Sequence, residues 1–110
     1  MSADRLSLIL CTVPDVVTGR TIADVLLQEK LAACVSILPG LESHYIWKEK
    51  REQAEESLLL IKSPVSQFIK LSECIQKNHP YECPEIVQIK DLDALPAYAQ
   101  WVIQSCSLGE

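Results

Sequence analysis

Apolar residues recur along the chain with the two spacings that distinguish strands from helices. Short, mostly apolar runs between polar flanks predict buried strands, because successive strand side chains point to opposite faces of a sheet. Such runs occupy residues 5–12, 32–38, 41–50, 56–63 and 85–91. Pro39-Gly40 is expected to bend or bulge the second strand, which the run 41–50 continues, so the five runs make four strands. A polar stretch follows the third run, so we predict a long hairpin with its tip near Arg51 to Ala54.

Three further segments carry apolar residues at helical spacing. The first is capped by Asp15 or Thr18 and runs to about residue 30, with one face formed by Ile22, Val25, Leu26 and Glu29. The second begins with Ser63 as cap and Pro64 at the first helical position. Its predicted apolar stripe comprises Val65, Phe68, Ile69, Leu71 and Ile75. Asn78 in the left-handed conformation and Pro80 are expected to end it. A last helix, capped by Asp93, places on one face Tyr98, Trp101, Val102 and Ser105.

The order of these elements predicts one domain over residues 1–110. Strand, helix, strand, strand, helix, strand and helix form two right-handed split βαβ units. That order gives an α+β fold, the ferredoxin-like α/β sandwich, with an antiparallel sheet and helices on one face. The long hairpin strands overhang this sheet, and exposed strand edges are usually paired or covered. We therefore expect the subunit to oligomerise through those edges.

Composition and charge exclude several classes of protein. The formal net charge of −5 over 110 residues argues against nucleic-acid binding, which needs a basic face. No apolar run approaches the roughly 20 residues needed to cross a bilayer. The opening run is too short for a signal-peptide core, so we expect a cytoplasmic protein. The five cysteines are scattered without a CxxC pair and are expected to be reduced.

The residues with metal-binding chemistry are thiols and one histidine. Soft metals such as copper prefer thiolate and imidazole ligands, which makes Cys11, His79 and Cys83 the candidates, with Cys34 and Cys74 behind them. The topology brings the end of the first strand towards the segment after the second helix. An alternative stays open, in which Cys11 is a core thiol and His79 bonds a backbone carbonyl.

Other chemistry has less support in the sequence. The three glycines form no phosphate-binding loop, and two histidines give little support to a nucleophilic triad. Glu55 and Glu56 are expected to be solvated at the hairpin tip. We therefore predict no enzymatic activity.

A second candidate site is a polar pocket between subunits. Aromatic side chains with polar tips suit an interface or the lip of a cleft, and such residues occur beside a lysine and a glutamate that end or begin strands. The candidates are Tyr45, Trp47, Lys62, Tyr81 and Glu85. The alternative is that they are separate surface residues.

Four motifs together resemble the CutA family of divalent-ion tolerance proteins. They are "LAACVSILPGLESHYIWKEK", "LLLIKS", "NHPYECPEI" and "YAQWV", and the match runs from about Leu8 to Trp101. The resemblance implies a ferredoxin-like subunit in a tight homotrimer whose hairpin strands join sheets between subunits. It also implies a cytoplasmic protein linked to tolerance of copper and other divalent cations, with a shape similar to that of PII signalling proteins.

The same resemblance implies which residues bind copper, and this chain differs from the family's usual sequence at three positions. Copper ligation in the family is attributed to the positions of Cys11 and His79. Some members carry a second histidine where this chain has Asn78, and Cys83 could supply a replacement soft ligand. Glu49 stands where a glycine is usual after Trp-Lys, which should alter the turn.

Two other functions are alternatives to metal tolerance. One is a PII-like signalling or scaffold trimer that binds a small anion or a partner protein in the inter-subunit cleft, where Lys62, Tyr81 and Trp47 would matter most. The other is an enzyme that uses that cleft with Glu85 as a base.

Overall fold

A four-stranded antiparallel sheet in the order β2-β3-β1-β4 organises the chain. The computed structural model describes residues 4–107. The strands are β1 (Leu6–Val13), β2 (Cys34–Trp47), β3 (Lys50–Pro64) and β4 (Val87–Ile89), and the helices are α1 (Val16–Gln28), α2 (Phe68–Asn78) and α3 (Pro96–Ser105). The predicted fold class, a ferredoxin-like sandwich with a long hairpin, is confirmed. Within the described residues, no helix is long and apolar enough to span a membrane.

The core lies between one face of the sheet and helices α1 and α2. Alternation along paired strands turns Ile9 and Cys11 of β1 to the same face as Leu59 and Ile61 of β3. These side chains are fully or almost fully buried with the apolar faces of the two helices, which contribute Ile22, Leu26, Leu71 and Ile75. We call this the helix face of the sheet. Asp15, one of the two predicted caps, begins α1, and its carboxylate accepts the Thr18 N–H at 2.8 Å.

The opposite, outer face of the sheet is apolar but only partly covered. It is formed by the alternate residues of the same strands, among them Leu58, Leu60 and Lys62 of β3. Helix α3 reaches this face, because Tyr98 lies against Cys34, the cross-strand neighbour of Lys62. Large apolar side chains remain exposed around it, including Leu38, Val87, Ile89, Leu95 and Trp101.

The hairpin turn lies about four residues before the predicted tip. Trp47 pairs with Lys50, so Lys48 and Glu49 alone form the turn, with φ of 51° and 69°. Positive φ at both central residues is the signature of a two-residue type I′ turn, which matches the twist of the flanking strands. The segment 51–54, predicted as the tip, is strand. Gly40, at φ 83°, lies in the predicted bulge between Leu38 and Leu41.

The start of α2 was also predicted too early. Ser63 and Pro64 belong to β3, where Pro64 lies opposite Leu6. The Ser63 hydroxyl donates to the Leu31 carbonyl at 2.7 Å instead of capping a helix. A single 3₁₀ turn, Val65–Gln67, then leads into α2. Sheet pairing has therefore outweighed the local helix-start signal.

The remaining differences concern helix ends and faces. Helix α2 ends at Asn78 as predicted, but Asn78 is not left-handed: its side-chain amide donates to the Cys74 carbonyl at 2.8 Å, and the extended His79 follows. Ile69, predicted in the apolar stripe, is 74% exposed. Helix α3 begins after Leu95 rather than at Asp93.

Candidate functional site

A cleft of about 620 Å³ opens where the hairpin leaves the sheet. Its walls come from the end of β1, the hairpin strands and the loop between α2 and β4. The lining residues are Thr12, Ser43, His44, Tyr45, Trp47, Glu56, Pro80, Tyr81, Glu82, Cys83 and Glu85. We call it the hairpin cleft.

Strand alternation explains which hairpin side chains line the cleft. Leu41 lies opposite Glu56, so the alternate residues Ser43, Tyr45 and Trp47 share the face of Glu56. His44 also borders the cleft, but strand alternation turns its side chain to the other face, where its Nε2 lies 2.6 Å from Oε2 of Glu42. On the hairpin side, the cleft is therefore lined mainly by the aromatic residues of β2.

Glu56 is a nearly buried carboxylate in the cleft wall. Only 7% of the residue is exposed, and its Oε2 accepts a 2.7 Å hydrogen bond from the Tyr81 hydroxyl. In the part of the chain that the structure describes, no basic side chain lies within ion-pair distance of Glu56. Burial and the bond to Glu56 both raise the pKa of Tyr81. The prediction that Glu56 is solvated at the hairpin tip is wrong, because the turn lies seven residues away.

His79 uses both ring nitrogens inside the protein. Its Nε2 lies 2.7 Å from the Thr12 carbonyl, and its Nδ1 accepts the Tyr81 N–H at 3.2 Å. A carbonyl only accepts and an N–H only donates, so this network assigns the proton to Nε2. The two rings also contact each other, with centroids 4.7 Å apart. The backbone-carbonyl alternative from the sequence is the geometry that the structure has.

Cys11 lies in the core rather than in the cleft. It is 0% exposed, and its Sγ approaches the Thr12 carbonyl at 3.7 Å. Burial, followed by the nearby charges of Glu85 and Glu56, raises the pKa of the thiol to about 12. Metals bind the thiolate, and this environment disfavours it. Cys11 and His79 as placed here do not fit a metal-ligand pair.

The other thiols differ in their surroundings, and none of the five forms a disulfide. Cys83 is exposed in the hairpin cleft beside Glu82 and Glu85. Cys34 lies on the outer face, 3.9 Å from the Ser36 hydroxyl. Burial raises the pKa of Cys74 and of Cys106, which lie elsewhere. Among residues 4–107, no three acidic, histidine or cysteine side chains are placed together to hold a metal ion.

Four of the five residues predicted for a polar pocket line this cleft, namely Tyr45, Trp47, Tyr81 and Glu85. Lys62 does not: its ammonium donates to Ser36 Oγ at 2.9 Å and to the Leu60 carbonyl at 3.0 Å on the outer face. Glu56 was not predicted as a cleft residue. The signal that could have found it is a two-residue turn after Trp47, which would have set Glu56 opposite Leu41 near the bulge.

The charge in the cleft is negative. Glu56, Glu82 and Glu85 line it, and Nζ of Lys48 at the hairpin turn lies 3.9 Å from Oε1 of Glu82. Such a surface favours cations over anions.

Comparison with known proteins identifies the family. The family model described as CutA1 divalent ion tolerance protein matches residues 7–105. The divalent-cation tolerance protein CutA of Thermus thermophilus is 43% identical over 94 residues, which cover 86% of this chain and 91% of that protein.

Solved structures agree with that match. The divalent cation tolerance protein Cut A1 of Thermus thermophilus superposes with a TM-score of 0.88 at 40% identity, covering 91% of this chain and 97% of the other. The protein from Archaeoglobus fulgidus described as periplasmic divalent cation tolerance protein CutA has a TM-score of 0.89 at 29% identity, over 93% and 99% of the two chains. The resemblance seen in the sequence motifs is therefore confirmed, and this chain belongs to the CutA1 family of divalent ion tolerance proteins.

Proposed function

We propose that this protein serves divalent-cation tolerance by binding the cation, copper first, in the hairpin cleft, without catalysing a reaction. The observation that carries the proposal is Glu56. Glu56 is nearly buried in the cleft wall, and its carboxylate has one hydroxyl donor and no basic partner among the described residues. A cation in the adjoining cleft would offset that charge.

One ligand atom in the cleft, a thiol sulfur, favours copper over harder cations. Cys83 places an exposed thiol in the same cleft as Glu56 and Glu85, and soft metals prefer sulfur ligands. The proposed ligands are therefore Cys83 and the cleft carboxylates, in place of the Cys11–His79 pair; they line one cleft but are not grouped at ligand distances among the described residues. The negative lining and the position of Lys62 argue against the alternative of a small anion at this site.

A homotrimer is the second part of the proposal. The partly uncovered outer face and the unpaired edge of β2 offer apolar surface that a second copy would bury. Leu38, 54% exposed, lies on that edge strand. Leu38→Lys should dissociate the assembly in sedimentation equilibrium, whereas Ile69→Lys, on a helix away from the outer face, should not. A monomeric wild type, or dissociation by both variants, would contradict this part.

We also propose a cytoplasmic location, which the five free thiols support because reducing compartments keep thiols reduced. Cell fractionation with a periplasmic marker tests it.

Chelator competition with copper tests the binding site. Glu56→Gln and Cys83→Ser should each weaken the tightest copper site, because each removes a proposed donor. Glu55→Gln is the matched control, since Glu55 is the exposed neighbour that points to the opposite face. Cys34→Ser is the control for a thiol outside the cleft. Equal competition by all five proteins, including wild type, would overturn the cleft as the copper site.

A further inference from the structure

We infer that His79 is a positioning residue that holds the cleft carboxylate in place, and that it does not bind the cation. This inference rests on the function proposed above. Three hydrogen bonds form the relay: His79 Nε2–H to the Thr12 carbonyl, the Tyr81 N–H to His79 Nδ1, and the Tyr81 hydroxyl to Glu56 Oε2. Each member of the relay orients the next.

The relay is anchored to the sheet at both ends. Thr12 belongs to β1 and Glu56 to β3, and these strands pair directly through Thr12 and Leu58. The segment that begins at His79 and Pro80 has no strand of its own until Val87. The two anchors therefore fix Tyr81 against Glu56 although Tyr81 lies in a loop.

The imidazole has no lone pair left for a metal. Nε2 carries the proton that bonds Thr12, and the lone pair of Nδ1 accepts the Tyr81 N–H. Coordination through either nitrogen would break one of these bonds inside a nearly buried site, where a lost hydrogen bond leaves the former partner unsatisfied. The bond to Oε2 leaves the other oxygen of Glu56, Oε1, without a hydrogen-bond partner among the described residues. Under the proposed function, Glu56 therefore contacts the cation, and His79 supports Glu56 through Tyr81.

Nitrogen NMR of the imidazoles tests this assignment, with Zn²⁺ as a diamagnetic divalent probe. The chain has two histidines, so His44→Gln assigns the His79 signals. We expect the Nε2–H tautomer before Zn²⁺ is added and unchanged His79 nitrogen shifts at saturation. A coordination shift on a His79 nitrogen would overturn the inference while leaving the proposed function intact. Failure of the wild type to bind Zn²⁺ or copper at all would refute the proposed function, and this role with it.

A double-mutant cycle separates support from ligation. His79→Leu and Tyr81→Phe should each weaken Zn²⁺ binding about 10-fold, the size of one hydrogen bond to a charged group. The double variant should bind no more weakly than either single variant, because both changes break the same relay. His79→Gln should retain most of the affinity, since an amide can both donate and accept.

The opposite results would refute the relay. Losses that multiply in the double variant, or a His79→Gln protein as weak as His79→Leu, indicate that His79 contacts the cation independently. If His79→Leu does not fold, the comparison of wild type, His79→Gln and Tyr81→Phe, together with the tautomer, decides the question.

Discussion

Glycine at the hairpin turn should raise the free energy of unfolding, whereas glycine in the adjoining strand should lower it. Glu49 adopts φ 69° in a turn of only two residues. A side chain in the left-handed region costs roughly 1–2 kcal/mol, because its Cβ crowds the backbone carbonyl. Glycine removes that strain but gives up about 0.5–1 kcal/mol of conformational entropy on folding. The strain is the larger of the two, so Glu49→Gly should stabilise the protein by about 0.5–1 kcal/mol.

The matched control is Glu52→Gly, the same change three residues later. Glu52 lies in extended β3 opposite Tyr45, where there is no positive φ to relieve, so glycine there should destabilise by about 0.5–1 kcal/mol or more. Urea unfolding at one fixed protein concentration measures both free energies of unfolding. If Glu49→Gly destabilises the protein as much as Glu52→Gly does, the turn strain deduced from the backbone angles is wrong.

Three further outcomes follow from buried or capping groups. Ser63→Ala should lower the free energy of unfolding by about 1–3 kcal/mol, because it leaves the buried carbonyl of Leu31 without its donor; a loss below about 0.5 kcal/mol would contradict this. The bond that Asp15 accepts at the start of α1 lowers its pKa below 3.8. Asp15→Ala should therefore lower the free energy of unfolding at pH 7, and this difference from wild type should disappear as acid protonates Asp15. A difference that stays constant through acid unfolding would refute the cap. Burial raises the pKa of the Cys11 thiol and hides it from reagents, whereas Cys83 is exposed. Mass spectrometry after iodoacetamide should therefore show Cys83 modified first and Cys11 only after unfolding, and early modification of Cys11 would contradict its burial.

The elements that the sequence predicts best are those set by local pattern. The apolar run of β1, the cap at Asp15 and the bulge at Pro39-Gly40 all appear near their predicted places. Each depends on spacing or backbone preference within a few residues. The order of these elements then restricts the topology to few choices, and the ferredoxin-like sheet is one of them.

Predictions failed where pairing between distant residues decides the conformation. Ser63-Pro64 has the composition of a helix start, but pairing with β1 keeps it in a strand. The hairpin turn lacks an Asn-Gly signal, so polarity misplaced it at residues 51–54, whereas register requires Lys48-Glu49. Residue type predicts His79 and Cys11 as metal ligands, but spacing does not reveal that His79 is hydrogen-bonded through both ring nitrogens and that Cys11 is buried in the core.

The bulge connects this backbone geometry to the cleft. Leu58 and Glu56, two residues apart on β3, lie on the same face of the sheet. Before the bulge, Leu38 and the even-numbered residues of β2 are on this face; after it, Leu41 and the odd-numbered residues are. The one extra residue therefore turns the aromatic residues of β2 towards the hairpin cleft.

Gly40 holds that bulge at φ 83°, and a Cβ added there would meet nothing within 4 Å. Gly40→Ala thus adds backbone strain without a steric clash and partly offsets it by restricting the unfolded chain. It should destabilise the protein by about 0.5–1 kcal/mol, a shift similar in size and opposite in sign to that of Glu49→Gly. Because both substitutions exchange the same backbone preference, urea unfolding should show the two effects cancelling in the double variant. A Gly40→Ala loss of several kcal/mol would instead mean that the bulge has collapsed, and binding of copper in the cleft should then be lost with it.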